Sequence, residues 1–164
     1  MNENYIVFNG KKIELTEEEI KALGIKLRKN PFERVAKLKL YCYIDSFNGV
    51  HCISDEAEQH DDMSFECSNY FNDYSFANQV ALHQLLYRKL LKFAYDNKCE
   101  DTEEWNGNNR HFCIVYDGAH NKYDVWGGLL YKMFTIYFSS REGAERAIHE
   151  VVEPFMKKHP DFVW

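Results

Sequence analysis

Apolar and polar residues alternate from 37 to 44, with Leu38, Leu40, Cys42 and Ile44 on one strand face and Lys37, Lys39, Tyr41 and Tyr43 on the other. Asn48-Gly49 supplies a hairpin signal, and the chain returns through Val50 to Ile53. An earlier hairpin is expected over residues 5–15, two β-prone runs joined by Asn9-Gly10. A short helix follows with a complete start signal. Thr16 is the N-cap, Glu19 closes a capping box, Leu15 is placed to staple onto Ile20, and Gly24 ends the helix. Asn30-Pro31-Phe32-Glu33 repeats that logic and predicts a second helical piece through Val35.

After a polar stretch over 54–62, a third strand is expected over 63–67, and the longest periodic segment runs from about Asp73 to Lys98. Phe76, Ala77, Val80, Ala81, Leu85, Leu90, Leu91 and Ala94 lie near helical spacing there, so this helix should be the spine of the fold. The second half replays the pattern. Strands are expected over 111–116, 123–126 and 132–137, then a helix from Ser139 or Ser140, with Ser139 and Glu142 as its capping box and Asn72 as the equivalent cap of the first copy. Aligning Phe71 with Phe138 puts Ala77 on Ala144 and Val80-Ala81 on Ala147-Ile148. Pro154 should kink or restart the last helix and Pro160 should end it. The expected fold class is α+β: two β-β-β-α units (37–98 and 110–164) forming antiparallel sheet with helices on one face, after a hairpin-helix lead-in (1–36), in one compact domain overall.

Composition narrows the function classes. The chain has 164 residues, 45% hydrophobic and 28% charged, which excludes a disordered, collagen-like or coiled-coil protein. A net charge of −6 argues against a general nucleic-acid coat. The acidity is localised. Seven acids and no Lys or Arg lie between residues 54 and 76, and four acids and no base between 99 and 109, so the remainder is net basic. Neither a signal peptide nor a membrane span is expected, and the expected location is the cytoplasm.

Five cysteines, an odd number without a C-x-x-C pair, read as reduced, half-buried thiols. Seven histidines show neither H-x-H nor H-x-x-x-H spacing, and the acidic run lacks the alternating ligands, Gly and terminal Glu of a calcium loop, so neither metal nor cofactor is expected.

Three constellations carry candidate chemistry. The first is the acidic run, in which Asp55, Glu56, Glu58, Asp61, Asp62 and Glu66 would face a basic partner by charge matching, with Trp105 as the apolar anchor. The plainer reading is two solvated loops. The second is a set of aromatics, among them Tyr41, Tyr43, Tyr70, Tyr116, Tyr123 and Trp126, which could stack single-stranded bases if Lys37, Lys39, Arg110, Lys122 and Lys132 held the phosphates; packing is the plainer reading. The third is His111 two residues before Cys113 on one strand face, a conceivable nucleophile and base lacking any visible elbow or oxyanion site.

Several segments taken together carry a resemblance: residues 9–18, Asn30-Pro31-Phe32-Glu33-Arg34-Val35, the helix over 81–90, Trp105-Asn106-Gly107-Asn108-Asn109-Arg110, Tyr137-Phe138-Ser139-Ser140 and His159-Pro160-Asp161-Phe162-Val163-Trp164. The chain resembles uncharacterised small phage- and prophage-encoded proteins of Gram-positive bacteria over nearly its whole length. The resemblance implies a niche in which many small acidic proteins act on host machinery, some of them blocking CRISPR nucleases or other defence systems. The expectation is therefore a non-enzymatic, anti-CRISPR-like binder of a basic nucleic-acid-processing enzyme in the host cytoplasm. The alternative is a DNA-metabolism accessory that binds single strands on an aromatic sheet face, and the long helix also offers a homodimer surface.

Overall fold

The computed structural model describes residues 5–8, 11–24 and 30–164. Strands β1 (Tyr5–Phe8) and β2 (Lys11–Glu14) pair antiparallel, and the Asn9-Gly10 turn between them lies outside the described residues. Helix α1 (Glu17–Ala22) opens on its capping box: the Glu19 N–H donates to Thr16 Oγ1 at 3.3 Å and the Thr16 N–H to Glu19 Oε2 at 2.8 Å. Gly24 takes φ +66°, a left-handed conformation that only glycine adopts without strain, and its N–H donates to the Lys21 carbonyl as the helix ends.

The segment after Asn30 makes a turn where a helix through Val35 was expected. The Glu33 N–H donates to the Asn30 carbonyl at 3.1 Å, and Asn72 Nδ2 donates to the carbonyls of both Asn30 and Glu33, which holds the segment as a turn. The Phe32 ring packs on Phe71 and Phe76, with centroids 5.2 and 5.4 Å away.

Strand β3 (Leu40–Ile44) pairs antiparallel with β4 (Val50–Ser54). Asn48, at φ +72°, closes the hairpin loop with an Asn48 N–H to Asp45 carbonyl bond. The expected division of strand faces breaks at Leu38, which adopts φ +67°. Leu38 and Leu40 are exposed, whereas Tyr41 is buried. The register also places Cys42 opposite Cys52, and these two form a disulfide, so the expectation of five reduced thiols is corrected.

The third strand expected over 63–67 is helix instead, α2 (Gln59–Glu66), because Asp61 accepts the N–H groups of Glu56 and Glu58 at 3.0 Å each and organises a helical start. The residue that returns to β3 is Phe71, which exchanges two backbone bonds with Cys42. Helix α3 (Tyr74–Asp96) then runs about 35 Å. Asp73, one residue after the expected Asn72, caps it by accepting the Phe76 N–H at 2.9 Å.

In the second half β5 (His111–Asp117) pairs with β6 (Lys122–Gly128) on one side and with β7 (Tyr137–Phe138) on the other. Of the strand expected over 132–137 only Tyr137 pairs, together with Phe138 beyond it, and 129–136 is an irregular loop. Helix α4 (Arg141–Ala147) is capped by Ser140, which accepts the Gly143 N–H at 3.0 Å; Ser139 is not the cap. A π-helical turn, Ile148–Val152, leads into α5 (Glu153–Lys158), where Pro154 restarts the helix.

The architecture is α+β with antiparallel pairing, and among the described residues the strands form separate sheets. Each half places a short return strand or bridge, at Phe71 or Phe138, beside the first strand of its hairpin, and a capped helix follows. Helix α3 joins the two halves as expected. Its Ala77 and Ala81 pack with Cys42, Ile44 and Phe71, while Leu82, Leu86, Leu90, Phe93 and Ala94 enter a larger core with β5, β6, α4 and α5. Among the described residues, no helix is long and apolar enough to cross a membrane.

Candidate functional site: an acidic segment and an aromatic cleft

The structure divides the first acidic run in two. Asp55 and Asp61 are buried, 2% and 0% exposed, so their carboxylates serve the interior and not a partner. Asp55 takes Arg34 Nε at 2.9 Å, the Tyr70 hydroxyl at 2.8 Å and the Ala57 N–H at 2.8 Å. The Arg34 guanidinium holds the Asp55 carboxyl down at about 2 against the opposing effect of burial. Burial also works against the Asp61 carboxylate, but the Glu58 N–H, the Tyr41 hydroxyl and the Glu56 N–H outweigh it and keep its pKa below the ordinary range. The phenols of Tyr41 and Tyr70 stack with centroids 3.9 Å apart, and burial beside these carboxylates pushes both up to about 12.

Asp62 remains exposed while bonded to Arg34 Nη1 at 2.6 Å. Glu56, Glu58 and Glu66 are exposed. The segment thus keeps an outward negative edge built on an inward network whose organising cation, Arg34, was not singled out in the sequence. The Arg-Val after the Asn30-Pro31 turn carried no signal that would pair it with acids some 20 residues later.

The second acidic segment forms part of a cleft. Backbone bonds from the Asp101 N–H to the Tyr137 carbonyl and from the Ser139 N–H to the Cys99 carbonyl hold Glu100 and Asp101 against β7. The cleft of about 320 Å³ is lined by Tyr87, Leu91 and Tyr95 of α3, by Glu100, Asp101, Glu103 and Trp105, and by Lys132 and Tyr137. Trp105 is half-buried and lies flat on the His111 imidazole at 3.6 Å, edge-on to Tyr137 at 5.0 Å. Asp101 Oδ2 accepts from His111 Nδ1 at 2.7 Å. Lys132 Nζ sits 5.9 Å from the Trp105 ring centre. Glu100 Oε2 is shut off from solvent and has no hydrogen-bond partner in the structure.

Beside the cleft, loop 129–136 presents Leu130, Tyr131, Met133 and Phe134 to solvent, with Phe134 97% exposed. The Phe134 ring lies nearly parallel to that of Tyr87 with centroids 5.9 Å apart, so the exposed apolar side chains of the loop are neighbours of Tyr87, Leu91 and Tyr95 on the outer face of α3. These residues were missed because Leu129 to Phe134 reads as an apolar run of strand length. The available signal was its lack of a clean alternation after Gly127-Gly128.

The remaining constellations change. Of the aromatics that could stack bases, Tyr41 and Tyr70 are buried and offer no ring face, whereas Tyr116 is exposed. His111 and Cys113 share a strand and are both fully buried; His111 is engaged by Asp101, and burial pushes the Cys113 thiol up to about 11. A thiol so seldom ionised at neutral pH is a packing residue. No cluster of His, Cys, Asp and Glu suited to a metal ion occurs among the described residues. Comparison of the chain with protein-family models, with curated proteins and with solved structures finds no match.

Proposed function

We propose that this chain is a non-enzymatic binding protein that docks on a basic nucleic-acid-processing enzyme of the host, as an anti-defence, anti-CRISPR-like inhibitor of the kind its resemblance to phage-encoded proteins implies. The observation that carries the reading is the set of exposed apolar side chains, Leu130, Met133, Phe134, Tyr87 and Leu91, beside a cleft whose wall carries the acids Glu100 and Glu103. Apolar anchors set in a charged surrounding are the composition of a protein interface, where the anchors supply affinity and the charge supplies steering and partner choice. The exposed acids Glu56, Glu58, Asp62 and Glu66 extend the negative surface at the other half of the molecule.

The test is capture from nuclease-treated lysate of a Gram-positive host, in parallel with Phe134→Asp. The expected result is retention of a nucleic-acid-processing enzyme whose activity falls in the complex. Binding should weaken about tenfold or more in the variant and weaken again as salt rises. Retention indifferent to both changes overturns the reading. Retention of labelled single-stranded DNA by the purified protein at low salt replaces it with the nucleic-acid alternative.

A further inference from the structure

We infer that the cleft between α3 and residues 100–105 is a socket for one arginine side chain of a protein partner; this deepens the proposed function and rests on it for the partner. The cleft combines the two surfaces that a guanidinium needs. The aromatic side chains Tyr87, Tyr95 and Trp105 and the carboxylates Glu100, Asp101 and Glu103 all line it. A planar guanidinium stacks on the first and donates in a fork to the second, which a compact ammonium does less well.

Two further observations point to a cation. Glu100 lines the cleft, and its Oε2 is closed off without a hydrogen-bond partner, so this carboxylate keeps unmet acceptor capacity at the cleft wall. The chain's own Lys132 already holds its ammonium 5.9 Å from the centre of the Trp105 ring, so that face accepts a cation. Asp101 is committed to His111 and contributes charge, which leaves Glu100 and Glu103 as the acceptors. At about 320 Å³ the cleft is at the small end of ligand sites, in keeping with a single side chain. The exposed Leu130, Met133 and Phe134 beside it would cover the rest of the partner's surface around that arginine.

Lys132 is then the resident competitor, and this gives the test an effect of opposite sign from simple damage. The purified protein is titrated with acetyl-Gly-Arg-Gly-amide while the indole N–H resonance of Trp105, assigned by its loss in Trp105→Phe, is followed by NMR. The expected result is a saturable shift with a Kd in the millimolar range, on the order of 1–10 mM. Glu100→Gln should weaken binding about fivefold or more, and Lys132→Ala should tighten it about two- to fivefold. Glu66→Gln, on the distant acidic segment, should leave it unchanged.

Absence of a saturable shift for the arginine peptide, or equal binding by Glu100→Gln and Lys132→Ala, overturns the socket. Equal or tighter binding of acetyl-Gly-Lys-Gly-amide or of choline overturns the assignment to arginine. The peptide needs no protein partner. A negative titration with successful enzyme capture therefore removes the socket alone, and a positive titration without capture removes only the proposed enzyme partner.

Discussion

The indole of Trp105 covers the imidazole of His111, with ring centroids 3.6 Å apart and planes within 7° of parallel. Beneath it, His111 is fully buried, its Nδ1 is bonded to Asp101 and its Nε2 is without a hydrogen bond. The indole, the imidazole and the carboxylate therefore stand or fall together. Asp101→Ala should leave both ring nitrogens buried and unsatisfied, at a cost of about 1–3 kcal/mol. Calorimetry should show a Tm lower by roughly 2–4 °C for each kcal/mol in a chain of this size. Asp101→Asn, which keeps an acceptor, should lose less. Equal Tm values for all three proteins would show that the pair contributes nothing.

Acid sensitivity should originate in the network around Arg34. The guanidinium holds Asp55 at about 2, below its value in an unfolded chain, so this carboxylate stabilises the fold fully above about pH 4 and loses that contribution as pH falls towards 2. Removing the cation by Arg34→Ala should move the acid-unfolding midpoint to higher pH, followed by circular dichroism between pH 7 and pH 2. Tyr70→Phe, which removes a single hydroxyl donor to Asp55, should move it less. An unchanged midpoint in Arg34→Ala would show that other carboxylates set the transition.

The elements legible in the sequence are those whose signals are local. The α1 capping box, the Asn48-Gly49 hairpin and the 23-residue periodicity of α3 depend on neighbours within a few positions, and each occurs where its residues require. Local signals misled where a distant group claimed the backbone. Asn72 ties the carbonyls of Asn30 and Glu33 into a turn, and Asp61 gathers two N–H groups at the start of a helix that takes in 63–66. The candidate site was legible by half. Clustering of acids was visible, and Trp105 does line a cleft with Glu100 and Glu103, but which acids face inward depended on Arg34, Tyr41 and Tyr70. Charge counted along a chain does not tell an internal carboxylate from an external one.

Thiol chemistry should separate the cysteines by burial. Cys67 is exposed, whereas Cys99 and Cys113 are buried, and desolvation pushes both buried thiols up. Native protein treated with a disulfide-exchange reagent at neutral pH should release one equivalent quickly, and Cys67→Ser should abolish that phase. Unfolding in denaturant should expose the other two. Rapid labelling of Cys113 in the native state would contradict its placement and reopen a catalytic reading of that strand.

The hairpin of β3 and β4 makes the remaining cysteine prediction. Cys42 and Cys52 are directly opposed across the ladder and ten residues apart in sequence, and their disulfide closes a short loop. By chain entropy such a closure contributes up to about 3 kcal/mol, less wherever the reduced hairpin stays ordered. Cys42 also packs with Ile44, Phe71, Ala77 and Ala81, and its backbone pairs with Phe71, so loosening the hairpin should disturb the smaller of the two cores first. Intact mass without reductant should be two hydrogens below the fully reduced chain. Reductant should lower Tm, and Cys42→Ser should lower it at least as far. Hydrogen exchange should then rise in β3, β4 and the first turns of α3, while β5 and β6 keep their protection because their packing lies in the larger core. A uniform rise over both halves would show that the two cores unfold as one unit.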